Sequence, residues 1–165
     1  MAHRRWAETR KILEQDLLCD TLKGRVRYFT TRYRKAHDNV GRVCVLVDGN
    51  EIINMPFFTE GKRYAETYKR KEDEPDKSFQ DIYAEVYEDF ANKGLYYAGD
   101  FGFALDEFLS LDIQEALKSD NWLVRMLAIM DRRVGKRTLE KIKPSVSELP
   151  EWLQYFYRLR IESGL

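Results

Sequence analysis

The part of the chain that most constrains its fold is the apolar stretch from Asp120 to Gly135. Its large hydrophobic residues recur at the three- and four-residue spacing of one helix face: Leu123, Met126, Leu127, Met130 and Val134. Trp122 and Ile129 widen that face, so a helix built from this stretch is expected to be buried on more than one side. The stretch therefore predicts a central helix against which the rest of the chain packs.

Polar residues mark the two ends of this predicted helix. Asp120 is the expected N-cap, because its carboxylate can accept a hydrogen bond from a first-turn amide. Gly135 is the expected stop, since glycine readily adopts the left-handed conformation that ends helices. Arg132 and Arg133 fall in the predicted last turn, where cations interact favourably with the helix dipole. A second interpretation is an edge that binds phosphate groups, formed by Arg132, Arg133, Lys136 and Arg137.

The segment 112–139 places small, apolar and capping residues at a characteristic spacing: Ala116, Leu117, Asp120, Val124, Arg125, Ala128, Gly135 and Leu139. In these residues the segment resembles a HEAT-repeat helical hairpin. The chain holds no second copy of the segment, and a solenoid needs several stacked units to bury its core. The resemblance therefore implies a local pair of helices and not a repeat array.

The remaining local patterns predict an α+β fold. Residues 5–23 have helical periodicity, whereas 25–34, 42–47 and 51–54 are rich in β-branched or aromatic residues and are expected to be strands. Asp48-Gly49 is a favoured hairpin turn, so the strands are predicted to form a three-stranded antiparallel meander with 42–47 at its centre. An N-terminal helix and a C-terminal helical layer complete the prediction.

The second half of the chain is expected to be mainly helical. Phe57, Tyr64 and Tyr68 indicate a helix, the charged run 69–77 is expected to be an exposed and mobile break, and Ser78 is placed to cap the next helix. Further helices are predicted at 103–118, with an interruption near Ser110, and then at 136–142 and 150–161. At 165 residues the chain is expected to be one domain, with the helix and meander in 1–56 and the helical part in 57–165.

Composition indicates a folded protein outside the membrane and the compartment in which it works. Hydrophobic residues make up 44% of the chain and charged residues 34%, which predicts a core beneath a polar surface. No run approaches the roughly 18 apolar residues of a membrane helix, so no membrane association is expected. Cys19 and Cys44 lie in apolar contexts, and reduced buried thiols indicate a cytoplasmic protein. We expect neither a cofactor nor a metal ion.

Charge is unevenly spread along a chain whose net charge is zero. Residues 1–42 hold 11 basic and 5 acidic side chains, and residues 121–165 hold 9 and 5. Residues 43–120 hold 8 basic and 18 acidic side chains. One interpretation is that the basic ends fold against the acidic middle. The other is a basic surface, formed by both ends, that binds a polyanion.

The first predicted strand concentrates cations and rings. It carries four arginines, Arg25, Arg27, Arg32 and Arg34, together with Tyr28, Phe29 and Tyr33. Cations for phosphates and rings for base stacking are typical of proteins that bind single-stranded nucleic acid. An outer strand whose arginines guard its edge against further pairing explains the same residues.

Two patterns suggest catalytic chemistry. The order helix, meander, helix resembles the core of PD-(D/E)xK nucleases, and that resemblance implies Mg²⁺-binding carboxylates and a lysine at Asp48, Glu60 and Lys62. The pair His37-Asp38 has the residue types of an acid–base pair, although a solvated loop explains it equally.

Taken whole, the chain resembles a set of uncharacterised bacterial proteins of similar length. The segments that carry the resemblance are 5–16, 22–28 and 131–137. The resemblance implies no activity and no catalytic residues. The sequence is thus interpreted as a non-catalytic protein-interaction module with an unknown protein partner. A nucleic-acid-binding protein is the alternative, and a divergent Mg²⁺-dependent nuclease is the second alternative.

Overall fold

The computed structural model describes residues 5–32 and 41–164. Its first elements are helix α1 (Trp6–Lys11), a π-helical segment (Ile12–Leu17), a 3-10 turn (Asp20–Leu22) and strands β1 (Val26–Arg32), β2 (Gly41–Val47) and β3 (Asn50–Pro56). The predicted helix 5–23 is therefore wrong as a single element, because the chain changes its helical form at Ile12 and leaves it after Leu17. Arg34 and the pair His37-Asp38 lie outside the described residues.

The three strands form one antiparallel sheet in the order β1-β2-β3. This confirms the predicted meander and the central position of β2. Asp48 and Gly49 join β2 to β3 with φ angles of +50° and +84°, the positive values that the predicted turn requires. Val26 faces Val47 across the first pair of strands, and Val45 faces Ile53 across the second.

The sheet buries one face and pairs its first edge with a side chain. Val26 and Tyr28 of β1 are buried, whereas Arg27 and Phe29 between them are exposed. The Tyr28 amide donates a 2.9 Å hydrogen bond to the Glu14 carboxylate, so an outward-facing amide of the edge strand is satisfied within the fold. The position of β1 as an outer strand is confirmed, and Glu14 is one of the residues that protect its edge.

The rest of the described chain is helical. Its helices are α2 (Thr59–Asp73), α3 (Phe79–Asn92), α4 (Ala98–Ser110), α5 (Ile113–Ala116), α6 (Trp122–Met130), α7 (Lys136–Ile142), a 3-10 segment (Lys143–Glu148) and α8 (Glu151–Glu162). The α+β class with an N-terminal helix and a C-terminal helical layer is thus confirmed. No helix among the described residues is both long and apolar enough to cross a membrane.

Local capping signals place several of these helices correctly. The Ser78 hydroxyl accepts the Asp81 amide at 3.1 Å, as expected for the first turn of α3. The interruption near Ser110 is also confirmed, because α4 ends there and Asp112 caps the short α5. By contrast, α4 begins at Ala98, ahead of the predicted start at 103, since the Asp100 carboxylate accepts the Tyr97 amide at 2.9 Å.

Helix α6 is buried as predicted but shorter. All its residues from Leu123 to Met130 except Arg125 are buried, and they belong to a core cluster that also contains side chains of the sheet. Asn121 caps the helix by accepting the Leu123 amide at 3.1 Å, so the prediction of Asp120 as N-cap is wrong by one residue.

The C-terminal end of α6 also differs from the prediction. The Met130 carbonyl accepts the Cys19 amide at 3.0 Å and the Arg132 amide donates to the Leu17 carbonyl at 2.8 Å. These bonds divert the chain out of the helix, so Arg132 and Arg133 do not occupy its last turn. Gly135 has a φ of −87° and precedes α7, so its predicted role as a left-handed stop is wrong.

Candidate functional site

Four aromatic side chains of α2 and α3 form what we call the aromatic surface: Tyr64, Tyr68, Phe79 and Tyr83. Tyr64 lies 6.4 Å from Phe79 and 5.1 Å from Tyr83 between ring centroids, and Tyr68 lies 5.0 Å from Phe79. Tyr68 is 62% exposed and Tyr64 is 43% exposed. Each ring therefore supports another, and together they present one continuous apolar area to solvent.

A buried ion pair lies beneath the aromatic surface. Arg63 of α2 is 1% exposed and donates a 2.9 Å hydrogen bond from Nη2 to the Oδ2 of Asp100, which is also buried. The guanidinium lies 4.8 Å from the ring centre of Tyr87 and 5.2 Å from that of Tyr97. A charge in such a place is stabilised by its counter-ion and by the electron-rich faces of the rings.

Burial dominates the electrostatics of this region. It raises the pKa of Asp100 above its ordinary value, although the Tyr97 amide and Arg63 act to lower it; the charge of Glu60 raises it further. Burial also raises the pKa of Tyr83, and that of Tyr87 to about 12. These phenols therefore remain protonated near neutral pH, where they act as hydrogen-bond donors and as rings rather than as bases.

The Arg63–Asp100 pair fixes one helix to another. Asp100 belongs to α4, where it also accepts the Tyr97 amide. Arg63 belongs to α2, beside Tyr64 of the aromatic surface. Because the pair joins positions 37 residues apart in the sequence, it ties α2, which carries two of the exposed rings, to α4.

The basic residues predicted to bind phosphate divide into two groups. Arg25 donates to both carboxylate oxygens of Asp48 at 3.0 and 2.8 Å, and Arg133 forms a similar double contact with the buried Asp131 at 3.0 and 2.8 Å. These two arginines thus have carboxylate partners within the fold. Of Arg32, only the backbone is described, opposite Gly41.

The second group is exposed. Arg27, Arg132 and Arg137 form no ion pair with another described residue, and Lys136 has only a long contact with Glu140, at 4.0 Å. Lys23 lowers the pKa of Asp20 most, and the charge of Arg132 lowers it further, which places Arg132 near the turn before β1.

The structure brings Arg25 and Lys136 to a shared neighbour. The hydrogen bond with Asp48 raises the pKa of Arg25, and the charge of Glu162 at the end of α8 adds to that effect. Glu162 and Lys136 line one cavity of about 640 Å³ between α7 and α8. Arg25, just before β1, and Lys136 of α7 therefore both lie towards the C-terminal end of α8.

Sequence reasoning missed two exposed cations of this cavity, Lys143 and Arg158. We refer to the basic rim as the set Lys136, Lys143 and Arg158. The signal was weak, because Arg158 is one of four charged residues in α8 and Lys143 precedes a proline.

The residues implied by the nuclease resemblance are placed apart. Asp48 precedes β3 and Glu60 follows it, so a seven-residue strand, about 20 Å long, separates them. Asp48 is bound by Arg25, which holds the pKa of its carboxylate below the usual range. The Lys62 ammonium lies 4.8 Å from the ring centre of Phe58. Among the described residues, no three potential metal ligands of the His, Cys, Asp and Glu types form a group.

Sequence reasoning also missed the Arg63–Asp100 pair, since nothing in the local pattern joins α2 to α4. A usable signal did exist for the rings. Phe79, Tyr83 and Tyr87 recur every four residues, and Tyr64 and Tyr68 share the same spacing on α2. That pattern predicts aromatic stripes on two helices, although not their contact.

Comparison with curated proteins and with solved structures finds no match. A family model does match, from residue 5 to residue 161, and so spans every element described above except the last residue of α8. Within that span lie the aromatic surface, the Arg63–Asp100 pair and the basic rim. The chain belongs to the SF0329 protein family.

Proposed function

We propose that this protein is a non-catalytic interaction module that binds a partner protein through the aromatic surface. The observation that carries the proposal is the continuity of the exposed rings of Tyr64 and Tyr68 with Phe79 and Tyr83. Aromatic residues are enriched at the centres of protein interfaces, and contiguous exposed apolar areas mark binding sites more often than chance.

The charges around these rings indicate what kind of partner fits. Helix α3 carries four acidic residues, Asp81, Glu85, Glu88 and Asp89, and no lysine or arginine, although Lys77 pairs with Glu85 and Arg70 with Asp89. The segment 43–120, which contains the aromatic surface, holds 18 acidic and 8 basic side chains. Because complementary potentials favour association, we propose a partner protein with a basic face.

The rigid base of the surface also supports this function. Binding costs less when the interface is ordered beforehand, since fewer side chains lose freedom on association. The ring contacts and the Arg63–Asp100 pair supply such order, because each exposed tyrosine packs on a neighbouring ring above a fixed helix.

The experiment places a photo-reactive phenylalanine analogue at Tyr68 in cells and identifies the protein that becomes attached. The recombinant partner is then titrated by calorimetry against the wild type and against Tyr64→Ala with Tyr68→Ala. We expect the double variant to bind at least tenfold more weakly, because aromatic anchors at interface centres each contribute about 2 kcal/mol or more.

Matched controls separate this result from non-specific capture. The same analogue at Lys141, an exposed position on α7, must yield a different product, and Arg137→Ala with Lys141→Ala must leave partner affinity unchanged. A partner that binds the tyrosine variant as tightly as the wild type contradicts the proposal, as does identical attachment at both positions.

A second candidate function is polyanion binding at the C-terminal end of α8. The specific observation is that Lys136, Lys143 and Arg158 line one cavity with Glu162, whose charge also acts on Arg25 from the other end of the sequence. Cations gathered from distant segments create a local positive potential, and this potential attracts phosphate groups. Titration with single- and double-stranded oligonucleotides at low salt tests this candidate, and absence of binding there rejects it.

A further inference from the structure

We propose that the cavity between α3 and α6 is a receptor for a cationic side chain, a lysine or an arginine. Rings and carboxylates line it: Tyr87, Tyr96, Trp122, Glu88 and Asp120. Its volume is about 320 Å³, near the lower end of ligand pockets, which span about 300–1,000 Å³. The inference rests on the proposed function, because the cation is taken to belong to the partner's basic face.

The rings of the cavity are held by the fold. The Trp122 indole donates from Nε1 to the side-chain Oδ1 of Asn92 at 3.1 Å, which fixes the ring beside the end of α3. The Tyr96 hydroxyl is directed to the Ala91 carbonyl at 3.4 Å. Fixed aromatic rings attract a cation through their electron-rich faces, and this attraction strengthens where water is excluded.

Two of these rings already contact guanidinium groups of the protein itself. Arg63 lies 4.8 Å from the ring centre of Tyr87, and Arg125 lies 4.8 Å from that of Trp122. Neither arginine lines the cavity. Arg63 is bonded to Asp100, and Arg125 donates to the carbonyls of Ser119 and Lys118. The ring chemistry at this place is therefore suited to cations, and an incoming one meets rings that the fold has already positioned.

The local charge balance favours a cation. Glu88 and Asp120 are exposed and form no ion pair with another described residue, and no lysine or arginine lines the described cavity. A third carboxylate, that of Glu107, lies next to the lining and accepts the Asn121 amide group at 3.3 Å. Arg125 offsets part of this negative charge; burial lowers the pKa of its guanidinium, and the charge of Asp120 acts against that lowering.

The dipole of helix α3 also favours a cation in the cavity. The cavity adjoins the C-terminal end of α3, where the helix dipole places partial negative charge, although the Ala91 carbonyl there already accepts hydrogen bonds from the Gly94 amide and the Trp152 indole. The opposing amides at the start of α6 are masked in part, since the Asn121 side chain accepts the Leu123 amide. The cavity thus combines carboxylates, rings and a helix carbonyl end around one space.

The cavity continues the aromatic surface along α3. Tyr83 belongs to that surface, and Tyr87 lines the cavity one turn later, about 6 Å farther along the helix axis. A partner that covers the exposed rings therefore reaches the cavity with a neighbouring side chain. The two features divide the work of recognition, since the rings supply apolar contact area and the cavity selects for positive charge.

The test uses two small probes, the Nα-acetyl N-methylamides of lysine and of arginine. Their matched controls are the Nε-acetyl-lysine and citrulline analogues, which keep the shape but lack the charge. The readout is the Trp122 indole N–H signal in nuclear magnetic resonance spectra, assigned by its loss in Trp122→Phe. We expect saturable shifts with the charged probes and binding at least fivefold weaker with the neutral ones.

A pair of charge variants locates the effect. Glu88→Gln with Asp120→Asn should weaken probe binding fivefold or more. Glu72→Gln with Asp73→Asn removes the same residue types from exposed positions of α2 and should leave binding within twofold of the wild type. Undisturbed spectra outside the cavity show that each variant is folded.

Each remaining outcome overturns the inference. No shift of the Trp122 signal at 50-fold excess of probe over protein at low salt, equal shifts with neutral analogues, or unchanged binding in Glu88→Gln with Asp120→Asn all exclude a cation receptor here. The proposed function stands or falls separately, because it depends on partner affinity in the Tyr64 and Tyr68 variants. If the tyrosine variants weaken partner affinity but Glu88→Gln with Asp120→Asn does not, the cation receptor is excluded and the proposed function remains.

Discussion

On the side of the molecule formed by α2 and α3, the charges of Arg63 and Asp100 are buried while tyrosine rings face solvent. At the C-terminal end of α8 the arrangement is reversed, since the Tyr157 ring is buried while Lys136 and Arg158 face solvent. Exposed rings on a fixed base favour a defined apolar interface. Exposed cations favour attraction that acts at a distance and that salt weakens. The two sides therefore suit different partners, and different experiments reveal them.

The largest expected effect tests whether the buried pair supports the α2–α3 side. Asp100→Asn leaves the Arg63 guanidinium buried without its counter-charge, which is expected to lower the free energy of unfolding by about 3–5 kcal/mol. Chemical denaturation measures the change. Glu85→Gln, which removes an exposed partner of Lys77, is the control and should change stability by no more than about 1 kcal/mol.

A companion variant sharpens the interpretation. Arg63→Met with Asp100→Leu removes both charges and should recover much of the stability lost in Asp100→Asn, because a buried pair can be replaced by apolar packing. A double variant less stable than the single one would show that the pair contributes more than charge compensation.

The second prediction concerns the core that both sides share. Leu127 in α6 is 4% exposed, and replacing it by alanine should reduce the free energy of unfolding by about 2–5 kcal/mol. Urea unfolding followed by circular dichroism gives the midpoint. A shift near zero would mean that α6 does not organise the packing beneath the two sides.

Features that depend on residues close together in the sequence were predicted correctly, and features that depend on distant residues were not. The Asp48-Gly49 turn and the Ser78 cap were predicted because each depends on residues within a few positions. The end of α6 was not, because the chain there is held by Leu17 and Cys19, more than a hundred residues earlier. Local signals set where most elements begin, whereas distant hydrogen bonds decide where some of them end.

The candidate sites follow the same rule. Spacing alone indicates the aromatic stripes of α2 and α3, but only the packing of the two helices makes them one surface. The Arg63–Asp100 pair and the cavity beside Trp122 depend on how separate helices lie against each other. The arginines of the predicted first strand are candidates for phosphate binding by their charge alone. The structure pairs one of them, Arg25, with the Asp48 carboxylate, and the sequence does not predict that pair.

The third prediction uses pH to examine Tyr87, a partly buried phenol of the α2–α3 side. Burial raises the pKa of Tyr87 to about 12, above its ordinary value of about 10. The folded protein therefore holds this proton more tightly than the unfolded chain does. Its contribution to stability is fully present below pH 10 and is lost as the pH rises from about 10 to 12.

Urea midpoints measured across that range should fall, and Tyr87→Phe should fall less steeply because it lacks the ionisable group. Phenolate absorbance near 295 nm should show a late-titrating fraction in the wild type that is smaller in the variant. Parallel slopes for the two proteins would show that Tyr87 does not contribute to the loss.

The smallest expected effect tests the side at the end of α8. Arg132 is exposed, and its charge reaches Asp20 in the turn before β1, while Lys136 lines the cavity next to Glu162. If these cations contact phosphates, each contact releases counterions, so affinity for an oligonucleotide falls as salt rises. Arg132→Ala with Lys136→Ala should then weaken binding at low salt and reduce the salt slope by about one for each lost contact.

Lys62→Ala with Lys69→Ala removes equal charge from α2 and should leave the slope unchanged. If the two double variants weaken binding equally, net charge alone controls the attraction, and the end of α8 is not a distinct site.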